Sequence, residues 1–258
     1  MINLRTVLAL VLACSAALML TGCLQLNSET QIDKHGGGSA SMTISMSTAV
    51  SEALVEMQEL DPEGGPGGEI PSFEDMNKEE IQERVKDFGV KITKFEKNTV
   101  DGRETVAIAY DFKDMKGLSA AMGAIMASPS GGGENGLGIF DAGDGNLVLR
   151  PTAYEFPAWE EEEEEDLTEE SPSAAEMDPA QMQKQMEVMG KLMASLAELS
   201  VNLKITVPGD IVTTNAPLQE GRTSIWTIDS SNMMTASENM EPEIVFSGKG
   251  LKIKPISE

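Results

Sequence analysis

Side chains able to do nucleophilic, redox or metal chemistry are scarce in this chain: two cysteines, Cys14 and Cys23, and one histidine, His35, in 258 residues. Cys14 sits inside an apolar run from Val7 to Leu20, and Cys23 closes the tetrapeptide Leu20-Thr21-Gly22-Cys23 that follows it. His35 precedes Gly36, Gly37 and Gly38, a composition that predicts a loose, glycine-rich turn. With no second histidine, it has no partner from which to build a zinc, haem or Cys-His site. Serine and carboxylates are plentiful, but there is no Gly-x-Ser-x-Gly elbow, phosphate loop or dinucleotide fingerprint. Asp141, Asp144 and Asn146 bring oxygen ligands close together without EF-hand spacing, so they read as a tight turn, with a cation site as the second reading. The expectation is a protein without catalytic residues, metal or cofactor, and not an enzyme.

The apolar run is too short to cross a hydrocarbon core of about 30 Å as a helix. One basic residue, Arg5, precedes it and small residues follow, the layout of an export leader. Leu20-Thr21-Gly22-Cys23 resembles the lipobox of bacterial lipoproteins. That resemblance implies that the Cys23 thiol receives a diacylglyceryl group, that residues 1–22 are removed, and that the new amino terminus is acylated with a fatty acid such as palmitate. Two or three chains anchor durably where one holds only marginally. The implied location is the bacterial cell envelope, with the membrane as partner through covalent lipid. Leu24, which is not an inner-membrane-retaining aspartate, favours the outer membrane if the cell is Gram-negative. Cys14 leaves with the leader, so no internal disulfide can form.

Removing Arg5 leaves 18 basic residues against 43 acidic ones in the mature chain. Nucleic acid and bare anionic lipid are repelled by such a surface, so neither is an expected partner. Glu160 to Asp166 is an unbroken acidic block, read as a solvated disordered insertion over 159–177, with diffuse divalent-cation binding as a second reading. It divides an amino-terminal region, 23–158, from a helix and strands over 178–258 that complete the same domain.

The elements predict an α+β fold: an antiparallel sheet with packed helices and long acidic or Gly-rich loops. Leu24–Asp33 and Ser39–Ala49 alternate and flank the His35 turn. Val90–Phe95 and Thr105–Phe112 form the clearest hairpin, with Val106, Ile108, Tyr110 and Phe112 on one face and Asp101-Gly102 between the strands. Helices are expected over Val50–Leu60, from Ser72 to Gly89, over Met115–Met126 and from Pro179 to Leu199. Further strands are expected around Ile139-Phe140, Leu147–Leu149, Val201–Val207, Thr223–Ile228 and Ile244–Phe246.

The helix beyond Asp178-Pro179 carries Met182, Met186, Met189 and Met193, continued by Leu196 and Leu199, at three- and four-residue spacing. The expectation is that this face is buried against the sheet. Because methionine is flexible and polarizable, the same face could line an adaptable cavity for lipid or peptide, or bind a protein. Asp210 and Asn215 read as turn residues and Trp226 as core.

The lipobox, the strand and small-residue turn after it, the helices on an antiparallel sheet, and the stretch Leu203-Lys204-Ile205-Thr206-Val207-Pro208-Gly209-Asp210 with Asn215-Ala216 and Trp226-Thr227 resemble the mycobacterial LppM-like lipoproteins. The resemblance spans Leu24 to Asp229, apart from the acidic insertion. It implies an envelope protein with lipid binding and supplies no catalytic residue. Three functions compete: a lipid- or peptide-binding envelope module, a structural or assembly-factor lipoprotein without a small ligand whose partner is an envelope protein, and, least favoured, an enzyme.

Overall fold

The computed structural model describes residues 24–60, 76–100, 102–126, 136–154, 183–184, 186–191, 199–232 and 241–256. They form an α+β fold. Strand β1 (Leu24–Ile32) and β2 (Gly38–Ser47) are a hairpin in register from Leu24 opposite Met46 to Ile32 opposite Gly38. Helix α1 (Thr48–Leu60) leaves the end of β2, and α2 (Lys78–Val85) and a 3-10 turn (Lys86–Phe88) lead into β3 (Val90–Val100) and β4 (Arg103–Phe112). After α3 (Met115–Met126) come β5 (Gly136–Gly143), β6 (Asn146–Thr152), β7 (Leu199–Thr206), β8 (Ile211–Thr214), β9 (Leu218–Glu220), β10 (Thr223–Asp229) and β11 (Ile244–Ser247).

Seven strands form one sheet in the order β3-β4-β2-β1-β7-β10-β9, and four form a second in the order β5-β6-β11-β8. Neighbours are antiparallel except at the centre of the large sheet, where β1 runs parallel to β7 with Leu24 opposite Leu199. This pairing corrects the expectation that the last helix extends to Leu199, which instead opens a strand. The hydrophobic stripe there changes period, because a residue continuing a helical spacing also fits the inward face of the strand that follows.

The β3–β4 hairpin closes with Val100 opposite Arg103, so Asp101-Gly102 is its two-residue connection. Val106, Ile108, Tyr110 and Phe112 are all buried, as their alternation predicts. On the exposed edge of that hairpin, a bulge between Ile92 and Lys94 interrupts the ladder of β3. Gln82 of α2 covers the same edge, donating to the Val90 carbonyl at 3.1 Å and accepting from the Ile92 N–H at 2.9 Å. Gln82 thus covers the start of this edge, at Val90 and Ile92.

Helix α2 starts at Lys78, later than the expected start at Ser72. Its N-cap is Asn77, whose side chain accepts from the Glu80 N–H at 2.7 Å and donates to the Glu80 carboxylate at 2.9 Å. This is a reciprocal cap of the kind that defines a helix start. Met76, Ile81 and Val85 are its buried contacts, and Gly89, at φ +68°, ends the helical turns.

Buried residues of both sheets join in one hydrophobic cluster: Met42, Val106 and Phe112 from the large sheet, Leu149, Ile244 and Phe246 from the small one, and Leu118 and Ile125 from α3. Ser119 on α3 links the layers, donating to the Met115 carbonyl at 3.0 Å and accepting from the Leu137 N–H of β5 at 3.1 Å.

Candidate functional site

A cleft of about 440 Å³ opens where the β1–β2 turn, the start of α3 and the carboxy-terminal segment meet. The turn is built by the backbone. The Asp33 N–H donates to the Gly37 carbonyl at 2.7 Å, and the Asp33 carboxylate accepts from the His35 N–H at 2.7 Å. Gly36 has φ +91°, and a Cβ on Gly37 would lie 2.7 Å from the Lys113 carbonyl oxygen. The glycine run therefore makes a closely packed turn, where composition predicts a loose one.

Residues 248–256 form the second wall. The Lys252 N–H donates to the Lys34 carbonyl and the Ile256 N–H to the Ile139 carbonyl, both at 2.8 Å, so this extended strap is pinned at both ends. Leu251 and Ile253 pack on the core while Lys252 and Lys254 face outward. The third wall is the first turn of α3, where Asp114 accepts from the Gly117 N–H at 2.9 Å. Met115, Ile139, Ile253 and Ile256 supply apolar lining, and Lys116, Lys252 and Lys254 outnumber Asp114 among the charged residues there.

Tyr154 also lines the cleft and donates to the Leu137 carbonyl at 3.1 Å. Burial, and secondarily the Asp114 carboxylate, push its phenol up from the ordinary 10 to about 12. Burial pushes Tyr110, the other tyrosine, in the same direction. A neutral phenol is thus favoured by the fold, and the stability it contributes is present below pH 10 and lost as pH rises towards 12. Absorbance titration near 295 nm is expected to show neither tyrosine ionising at pH 10 in the folded protein. Half-ionisation at pH 10 without loss of fold would contradict the burial argument.

Cys23, Met182 and Met193 lie outside the described residues. Met186 and Met189 are 66% and 41% exposed, while Val188 between them is fully buried. This corrects the expectation that the methionine face packs on the sheet. The helical residues 186–191 turn Val188 inward, and Glu56 of α1 accepts ion pairs from Lys184 at 3.2 Å and Lys191 at 3.8 Å. Neither Met186 nor Met189 lines the cleft. The acidic block at 160–166 is also outside the described residues.

Asn215 serves its turn, donating to the Glu241 carbonyl at 2.7 Å and accepting from the Glu243 N–H at 3.0 Å. The Asp210 carbonyl accepts from the Ser247 N–H at 2.9 Å. Trp226 is buried, its indole N–H without an acceptor among the described residues. Asp141 accepts from the Gly143 N–H at 2.8 Å beside a turn in which Gly143, Asp144 and Gly145 all have positive φ. Among the described residues no three metal-ligating side chains converge, and no helix is long and apolar enough to cross a membrane. Of the cleft, sequence reasoning singled out only His35; the alternation Leu251-Lys252-Ile253-Lys254 was the available signal for the strap.

No protein-family model matches the chain, and no curated protein does. Among solved structures it is similar to the NMR structure of the folded domain of LppM from Mycobacterium tuberculosis, at 12% identity and a TM-score of 0.40, over 87% of this chain and 90% of that one.

Proposed function

We propose that the protein is a bacterial envelope lipoprotein, held at a membrane by acyl chains on Cys23, whose folded body is a non-catalytic binding module. The observation that carries this reading is the meeting of motif and fold. The residue after the lipobox cysteine, Leu24, already belongs to β1 and is paired with Met46 on one side and Leu199 on the other. Adjacent Cα atoms are about 3.8 Å apart, so a lipid on Cys23 holds the end of a central strand at the bilayer with no tether between.

The same end of the sheet carries the β3–β4 connection and the start of α1, joined by the Thr48 N–H donating to the Gly102 carbonyl at 2.9 Å. Val100, 63% exposed, is at that end. The β1–β2 turn and its cleft are at the other, a nine-residue strand away, about 30 Å at 3.3 Å per residue. The cleft, with its apolar floor, favours a binding module over a purely structural lipoprotein.

Paramagnetic lipid headgroups in a nanodisc test this arrangement. Amides of Leu24, Ser47 and Gly102 are expected to broaden strongly and those of Gly36 and Ile253 little. A twelve-residue Gly/Ser linker inserted between Cys23 and Leu24, with a reach of about 20 Å, is expected to reduce the broadening several-fold. Equal broadening at both ends, or none of the expected change with the linker, would count against it.

A further inference from the structure

We propose that the cleft between the β1–β2 turn, α3 and the carboxy-terminal strap binds a small soluble anionic amphiphile, its phosphate or carboxylate head on Lys116, Lys252 and Lys254 and its apolar arm on Ile253 and Ile256.

Charge is the first argument. The chain has 43 acidic and 19 basic residues, so an arbitrary patch of its surface is acidic. This cleft inverts the ratio, with three lysines, one aspartate and the sole histidine. The field of the remaining chain is negative: it lowers the cost of holding three ammonium groups together here and opposes an anion at long range, so attraction is confined to short range at the lysines. Asp114 opposes the ligand's charge but is occupied as the cap of α3, accepting from the Gly117 N–H, and lies at the helix end that favours a negative group.

Preorganisation is the second. Lys252 and Lys254 are two residues apart on the strap, both exposed and both lining the cleft. Backbone bonds from Lys252 to Lys34 and from Ile256 to Ile139 fix the strap without using either ammonium group. Lys116 lines the cleft from α3, its ammonium 5.8 Å from the centre of the Phe88 ring. The cleft thus has lysines on two of its walls.

The apolar lining sets the class. A bare inorganic anion would leave the half-buried Ile253 and Ile256 unused, and a cation would meet the lysines. The volume of about 440 Å³ lies within the range of small-molecule sites. A soluble ligand, not a headgroup of the anchoring bilayer, follows from the position of the cleft at the far end of β1 from Cys23, a placement that rests on the lipid-anchor reading.

The test uses calorimetric titration of the mature lipidated protein in zwitterionic nanodiscs, with empty nanodiscs subtracted. Hexyl phosphate is expected to bind at one site at least tenfold more tightly than inorganic phosphate, and hexylammonium not to bind. The double variant Lys252→Gln and Lys254→Gln is expected to weaken hexyl phosphate at least tenfold with an unchanged melting temperature, since both side chains face solvent. Raising salt is expected to weaken the wild-type interaction. Unchanged affinity in the double variant, equal binding of inorganic phosphate, or binding of hexylammonium would overturn the proposal. Phosphatidylglycerol doped into the nanodisc is expected not to compete; competition would overturn the assignment to a soluble ligand. Hexyl phosphate binding to protein found without lipid on Cys23 would support the site while removing the anchor reading.

Discussion

Exporting residues 24–258 behind an ordinary cleavable leader, with Cys23 absent, is expected to move the protein from the membrane pellet to the soluble fraction, a change of at least tenfold in the ratio of the two. Transfer of acyl chain into a bilayer contributes about 0.8 kcal/mol per CH₂, and one myristoyl-sized chain gives a partition constant of only about 10⁴ M⁻¹. Durable attachment thus depends on the two or three chains that the lipobox resemblance implies. Nothing else described in the chain replaces them: no described helix can span, and a body with 43 acidic and 18 basic residues is repelled by anionic lipid. Substituting Cys23 alone is a weaker test, because a leader left in place would keep its apolar run from Val7 to Leu20 at the membrane. Fractionation after carbonate washing gives the ratio. Retention of the leader-swapped body in the pellet at the native level would mean that the folded surface itself binds membrane.

Phe246→Ala is expected to destabilise the fold severely. Phe246 is fully buried in β11, pairs with Leu147 on one side and Ile211 on the other, and joins the cluster that unites the two sheets. Removing a buried phenyl ring loses its transfer free energy and leaves a cavity, together about 3–5 kcal/mol. For a protein of this length that corresponds to a fall in melting temperature of roughly 6–20 °C. Thermal unfolding followed by circular dichroism measures it. A fall of under 2 °C would mean that β11 does not hold the small sheet onto the common core.

Much of the secondary structure was legible because alternation and turn chemistry are local. Thr105–Phe112 alternates cleanly and Asp101-Gly102 is a two-residue turn signal, so both the strand and its partner could be read. Met115–Met126 and Ile244–Phe246 were readable for the same reason. What escaped was pairing between distant segments. Alternation in Leu24–Ile32 says which side chains point inward, but nothing in it specifies that Leu24 lies opposite Leu199 in a parallel pair. The strands Ile211–Thr214 and Leu218–Glu220 are four and three residues long, too short to hold a period. Met186 and Met189 show the converse error: spacing identifies a helix face but not which face the fold turns inward, and here Val188 takes that place.

The candidate site was less legible than the fold. A cleft assembled from the turn at His35, the start of α3 at Lys116 and the strap at Lys252 and Lys254 has no contiguous motif. Its charge contrast emerges only when lysines separated by more than a hundred residues share one wall-to-wall space. Cys23, in contrast, depends on contiguous residues, which is why the motif can be read before any folding.

Intact mass spectrometry of the protein extracted from membranes tests the central claim most directly. The account predicts a chain beginning at Cys23, heavier than its polypeptide by a diacylglyceryl group and an amide-linked fatty acyl chain, or by the diacylglyceryl group alone. A chain that still begins at Met1 and carries no added mass would contradict it.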